Sequence, residues 1–241
     1  MKYRVLLLLI ASSFYSCSKS DNPEVQSRIE GTFLSINVIQ LQPVRMFTIN
    51  GEVKDNVIIA QYIVLKRLYN TFNMAPGPRE EEIDASIRIN GDKSVESKTG
   101  TTIFNGTVAD YEGNILKVTG KISENPTAQP AGDSCSDRVK NINLWRFDHQ
   151  VDCTDLPIAT GYVRQCKILP GFFMVMESPE RLYIPIQNVQ LSNYTRYNDQ
   201  HSECYYIGKG GWNLINPDTY KNLPAGDTLI VQEKRLILEK K

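Results

Sequence analysis

Apolar and polar residues alternate along most of the chain, most clearly in Ile83-Asp84-Ala85-Ser86-Ile87-Arg88-Ile89, where every odd position is apolar. A period of two turns one row of side chains toward a core and the other toward water, so this segment predicts a β-strand. Turn chemistry follows at short intervals. Asn50-Gly51, Asn90-Gly91, Asn105-Gly106 and Glu112-Gly113-Asn114 carry residues that accept positive φ, as tight hairpins require. From 83 to 122 the spacing predicts a meander of about three strands. Further strands are expected at 141–147, 161–168, 172–177, 182–191 and 205–208. The stretch 228–238 reads as a closing strand or hairpin, with 232–235 as its polar interruption. Two stretches rich in proline and glycine, 74–79 and 124–137, read as long loops, as does the polar run around 193–203. No repeat of 20 to 50 residues is visible, which argues against a propeller or solenoid.

One segment departs from the alternation. Between Asp55 and Phe72, apolar residues fall at Ile58, Tyr62, Leu65, Tyr69 and Phe72, in steps of four, three, four and three. Such a stripe suits one face of a helix, with Asp55 as N-cap and Lys66 and Arg67 near the end where the helix dipole favours positive charge. Its runs of β-branched residues would also suit a buried strand; the spacing favours the helix.

The 241 residues are 41% hydrophobic and 22% charged, which is the profile of a folded globular chain. Together with the alternation this predicts one all-β, mainly antiparallel domain, a β-barrel or β-sandwich, with one short helix around 55–72. Lysine plus arginine number 27 and so do aspartate plus glutamate. That balance provides no basic field for phosphate backbones, so nucleic acid is excluded as a partner class.

The amino terminus carries Lys2 and Arg4 ahead of an apolar run over 5–11, then small polar residues and Cys17. A basic region followed by a short apolar one is the pattern of a secretion signal, and the run is well short of the roughly 20 residues that span a bilayer. Ser13-Phe14-Tyr15-Ser16-Cys17 resembles the lipobox of bacterial lipoproteins, with Phe14 and Tyr15 departing from its usual residues. The resemblance implies a signal peptide over 1–16, lipidation of Cys17, a flexible tether over 17–28 and a single β-rich domain over 29–241. An ordinary signal peptide with a chance cysteine is the alternative. Ser18 after the lipid site is similar to lipoproteins sent to the outer membrane, which implies a lipid-anchored protein facing the periplasm or the cell surface. The segment Lys19 to Asp21 is loosely similar to surface-export signals. Gly31-Thr32-Phe33 after the tether is similar to the opening of lipocalin-like lipoproteins, with Phe33 where their signature has tryptophan. Asp227-Thr228-Leu229 resembles short O-glycosylation sites of exported proteins.

Four further cysteines, Cys135, Cys153, Cys166 and Cys204, are an even number in a chain expected in an oxidising compartment, and read as two disulfides. Ease of closure favours Cys135 with Cys153 and Cys166 with Cys204. No Cys-x-x-Cys or close pair of histidines accompanies them, and Asp133, Asp137, Asp148, Asp152 and Asp155 lack calcium-loop spacing, so no metal or cofactor is expected. His149 and His201 are the only imidazoles, and no nucleophile or phosphate-loop motif stands with them. Glu80-Glu81-Glu82 reads as a solvated strand entrance. The residues better suited to binding are Tyr194, Arg196, Tyr197, Tyr205, Tyr206 and Trp212, because aromatic faces beside polar groups suit sugars and protein partners. The expectation is a noncatalytic envelope protein that binds a small apolar ligand, a glycan or an envelope protein. The alternatives are an envelope hydrolase acting on glycans or peptides, or a structural subunit of an outer-membrane complex.

Overall fold

Gly31-Thr32-Phe33 opens a strand, as its pattern requires. In the computed structural model β1 spans Gly31–Leu41 and is followed by a hairpin of β2 (Arg45–Thr48) and β3 (Gly51–Val53), a helix α1 (Asn56–Leu65) and β4 (Gly77–Glu80). Four hairpin-linked strands come next: β5 (Ala85–Ile89), β6 (Ser94–Thr99), β7 (Thr102–Glu112) and β8 (Ile115–Thr119). A small separate sheet holds β9 (Thr127–Pro130), β10 (Gln150–Ile158) and β11 (Gly161–Ile168). The chain continues through β12 (Gly171–Ser178), β13 (Arg181–Tyr197), β14 (Gln200–Gly211), a 3-10 turn at Thr219–Asn222 and β15 (Asp227–Lys240). The structure describes residues 29–130, 141–197 and 200–241, apart from the side chains of 109–111, 129–130, 193–197 and 200–211.

Eight strands close into an antiparallel barrel in the order β1, β5, β6, β7, β8, β12, β13, β15. The ring is sealed where β15 pairs on one side with β1, Phe33 opposite Lys240, and on the other with β13, Leu182 opposite Leu238. Every strand of the ring sends apolar side chains into one buried cluster, among them Phe33, Ile87, Val95, Val108, Leu116, Met174, Leu182 and Leu238. These side chains form one contiguous apolar cluster inside the ring, as in small closed barrels.

The strands β13 and β15 are longer than the barrel needs. Their far halves, flanked by β14 on one side and by β2 and β3 on the other, continue as an open extension. Because side chains alternate, the even residues Leu182, Ile184, Leu236 and Leu238 line the barrel, while the odd residues Val189, Leu191, Leu229 and Val231 form a second cluster on the outer face with Ile142, Leu144 and Leu223. On the even face, Ile230 packs under α1 with Val44, Met46, Ile59, Ile63, Leu68 and Phe72.

Several expectations are corrected. Asn105-Gly106 is not a turn but the middle of β7, so the meander has four strands. A Cβ on Gly106 would lie 2.7 Å from the Thr119 carbonyl oxygen and 2.9 Å from the Phe104 ring. The glycine is there for close backbone approach, and the β6–β7 turn is made at Gly100, φ +55°. The expected strand at 141–147 contributes only a bridge between Trp145 and Ile215. Both proline-rich loops contain short strands: β4 pairs with β1, Pro78 opposite Gln40, and β9 pairs with β11. The closing stretch is one unbroken strand, and the loop expected around 193–203 is the paired end of β13 and start of β14.

The helix is where the spacing put it, and Asp55 caps it by accepting the Val57 amide at 2.8 Å. The buried face is the corrected part. Ile59 and Ile63 point inward, whereas Ile58, Leu65 and Tyr69 from the expected stripe are exposed. Nothing polar but Asn56 and Gln61 interrupts Asn56–Leu65 before its tyrosine, so the sequence offers two apolar faces and only packing chooses between them.

The disulfide pattern also differs. Cys153 bonds Cys166 across the β10–β11 pair, where a bulge in β10 brings their Cα atoms to 4.1 Å. This excludes the favoured pairings of Cys135 with Cys153 and of Cys166 with Cys204. These two cysteines, 13 residues apart, are also the closest of the four in sequence, so ease of closure applied pair by pair selects them; matching the four in order along the chain does not. Cys135 and the Cys204 side chain lie outside the described residues, as do Cys17 and the segments 1–16 and 17–28 expected as signal peptide and tether.

Candidate functional site

A concavity of about 350 Å³ lies on the outer face of the extension. Strand pairing dictates its floor: Phe47 of β2 stands opposite Leu229 and Arg45 opposite Val231, so these side chains share the odd face of β15 with Glu233 and Arg235. The segment after β14 supplies the other wall. Arg146 N–H donates to the Leu214 carbonyl, Asn216 N–H to the Leu144 carbonyl and the Thr219 hydroxyl to the Asn143 carbonyl, which hold Ile215 and Tyr220 over the strands. The Tyr220 ring stacks on Phe47 with centroids 5.0 Å apart.

Polar groups converge at the rim of this apolar cleft. Arg235 Nε donates to Glu233 Oε1 at 2.6 Å, and the buried Gln187 amide donates to the other oxygen at 3.0 Å. The Arg235 guanidinium lies 4.6 Å from the centre of the Tyr183 ring. Burial opposes the charge on Arg235, yet the Glu233 carboxylate outweighs it and raises the guanidinium above its ordinary value. Burial, with the Glu233 charge adding to it, also pushes the Tyr183 hydroxyl up.

Across the mouth, Arg45 lies 4.8 Å from the centre of the Phe47 ring and its Nε donates to Glu52 at 2.6 Å, while Lys54 bonds the other oxygen. Bonds from Arg45 and then Lys54 lower Glu52 from 4.5 to about 2. A carboxyl depressed in the folded state contributes stability that is complete above its unfolded value and is lost as pH falls through its folded one. The ionised Glu52 is therefore expected to stabilise the protein above about 4.5 and to lose that contribution as pH approaches 2. A Glu52→Gln variant should show a flatter acid limb of Tm against pH over this interval. An unchanged limb would show that the pair contributes nothing.

Beneath α1 the even face carries a buried polar strip, Asn188, Gln190 and Ser192 on β13 and Gln232 on β15. Gln232 accepts from the Asn73 amide and donates to the Gln42 and Asn73 carbonyls at 3.0 and 2.8 Å, and Asn188 donates to the Thr71 carbonyl. Tyr62 of the helix bonds Ser192. These bonds fasten α1 and the turns after it to the sheet.

The residues singled out for binding are distributed differently. Tyr194, Arg196 and Tyr197 lie in β13 and Tyr205 and Tyr206 in β14, with Arg196 opposite His201 and Tyr194 opposite Glu203 in register; their side chains are outside the described residues. Trp212 packs edge-on to Phe172 at 5.1 Å and against the barrel cluster. His149 packs against Phe147 at 4.6 Å, with Nδ1 3.2 Å from the Leu169 carbonyl. Asp152 pairs with Lys167 and Asp155 with Arg164, and Thr228 lies in β15 between β13 and β2. Glu81 and Glu82 are exposed beyond β4. Among the described residues no three His, Cys, Asp or Glu side chains gather, and no helix is long and apolar enough to cross a membrane.

Neither a protein-family model, nor a curated protein, nor a solved structure matches the chain.

The cleft residues were missed because four separate segments bring them together. One signal did exist. The polar interruption 232–235 in an otherwise apolar strand contains Gln232, which serves the strip under the helix, and Glu233 and Arg235, which serve the cleft.

Proposed function

We propose that this chain is a noncatalytic cell-envelope lipoprotein, anchored through Cys17 to the outer membrane, that binds a small amphipathic ligand in the cleft between β2, β15 and the 214–220 segment. The observation that carries the reading is the cleft itself, a concave apolar floor with two arginines, a buried amide and an aromatic wall converging on it. Few precisely placed polar groups around an apolar concavity are the usual composition of small-molecule sites. Both glutamates at the mouth are engaged by arginines, an arrangement suited to orienting a ligand.

The aromatic anion 8-anilinonaphthalene-1-sulfonate tests the cleft, since it combines a ring system for the floor with a charge for the guanidinium rim. Saturable fluorescence enhancement is expected, weakened at least about tenfold, or 1.4 kcal/mol, by Tyr220→Ala or Arg235→Gln. Val64→Glu, on the exposed face of α1, should leave it unchanged. Enhancement that survives both cleft variants and disappears with Val64→Glu would overturn the assignment.

A second reading, a structural or assembly role, is favoured by the exposed apolar face of α1.

A further inference from the structure

The helix has one apolar face too many. Ile59 and Ile63 are buried against the sheet, but Val57, Ile58, Val64 and Leu65 are 63, 48, 68 and 77% exposed, and Tyr69 just beyond is 64% exposed. Single exposed apolar residues are ordinary on a protein surface; a contiguous group on one short helix marks a surface that another body covers. The charges around it are asymmetric. Asp55 stands at the N-terminal end, Lys66 and Arg67 at the other, and from Asn56 to Arg79 the chain carries no carboxylate.

We propose that this face pairs with α1 of a second copy of the chain, the helices antiparallel about a twofold axis at Gln61. A twofold contact is self-complementary: each residue a given number of positions before the axis meets the residue the same number after it. With the axis at Gln61, Val57 meets Leu65 of the other copy and Ile58 meets Val64, while Asp55 at the start of one helix lies toward the Lys66–Arg67 end of the other. The exposed apolar residues are matched in pairs and the end charges are opposite. Antiparallel packing also sets each helix's positive N-terminal end beside the other's negative C-terminal end. Gln61 lies exposed at the middle of the face. Its amide carries donors and an acceptor, so two copies of it satisfy each other across the axis. A lipid interior offers that amide no partner, which favours a second copy over a membrane as the occupant.

A helix of 10 residues is about 15 Å long, so the contact is smaller than that of a permanent dimer. Association is therefore expected in the micromolar range, with sedimentation of the mature chain giving monomer at low concentration and dimer on the order of 100 μM. Val64→Glu should leave a monomer at every concentration, with circular dichroism and Tm unchanged at concentrations where the wild type is itself monomeric, because this side chain is 68% exposed in the monomer. Gln61→Cys should form a covalent dimer under mild oxidation, well above the yield from Ile103→Cys, a likewise exposed control on β7. A wild-type chain that is monomeric at the highest concentration and cross-links no better through Gln61→Cys than through Ile103→Cys would overturn the proposal. So would binding of the monomer to anionic lipid vesicles that Val64→Glu abolishes, which assigns the face to a membrane. Loss of fluorophore binding in the cleft leaves this test untouched, since the two surfaces lie on opposite faces of β15.

Discussion

Replacing Phe33 by alanine is expected to destabilise the fold by about 3–5 kcal/mol, the usual range for emptying a large aromatic site in a core. The ring is fully buried in the barrel cluster, on the strand that seals the ring of eight against β15. Neighbours on β strands joined to both sides by hydrogen bonds collapse poorly into a vacated volume, so most of the cavity term should persist. Domains of this kind are stable by only about 5–15 kcal/mol, so the loss amounts to about a fifth or more of that margin. Urea denaturation followed by fluorescence measures the difference. A loss below about 1 kcal/mol would mean that the barrel repacks freely around position 33, contrary to its closed geometry.

The second large effect concerns attachment. If the proposed anchor is correct, Cys17→Ala removes the only site for acyl chains, and each buried methylene they carry contributes about 0.8 kcal/mol to membrane binding. The variant is expected to move from the membrane fraction to the soluble fraction, and the wild-type chain to carry an added acyl mass at its N-terminus. Retention of Cys17→Ala in the membrane fraction, with no acyl mass on the wild type, would remove the lipoprotein reading while leaving the barrel and its cleft as described.

Much of the barrel was legible because alternation and turn residues are local signals. Ile83 to Ile89 alternates and holds the strand Ala85–Ile89; Gly51 and Gly113 adopt the positive φ their turns require. Asp55 caps the helix it precedes. The failures have equally local causes. Asn-Gly is the strongest hairpin signal, yet at Asn105-Gly106 the missing side chain answers a carbonyl from the neighbouring strand, and composition does not distinguish these two uses of glycine. The phase of α1 was misread because a helix that is apolar almost all round has no single periodic stripe to follow. The cleft needed Arg45, Phe47, Gln187, Tyr220 and Arg235 to be neighbours, which only the crossing of β2, β13 and β15 provides. The cysteine pairing failed for a different reason: the four were matched in order along the chain, although Cys166, 13 residues away, is the nearest in sequence to Cys153 and faces it across a hairpin.

The position of β15 has a consequence for when the protein folds. This strand pairs with β1, with β13 and with β2, yet it is made of residues 227–240, about 200 positions after the start of β1. Neither the barrel nor the extension can close before those residues are free to pair, and contacts between such distant parts of a chain form slowly. An intermediate that lacks β15 exposes the edges of β1 and β13 together with the residues meant for the core, which is the kind of species that aggregates or needs a chaperone. The same delay keeps the barrel open until residues 227–240 have been synthesised, so its closure is an event of the finished strand set and not of the growing one.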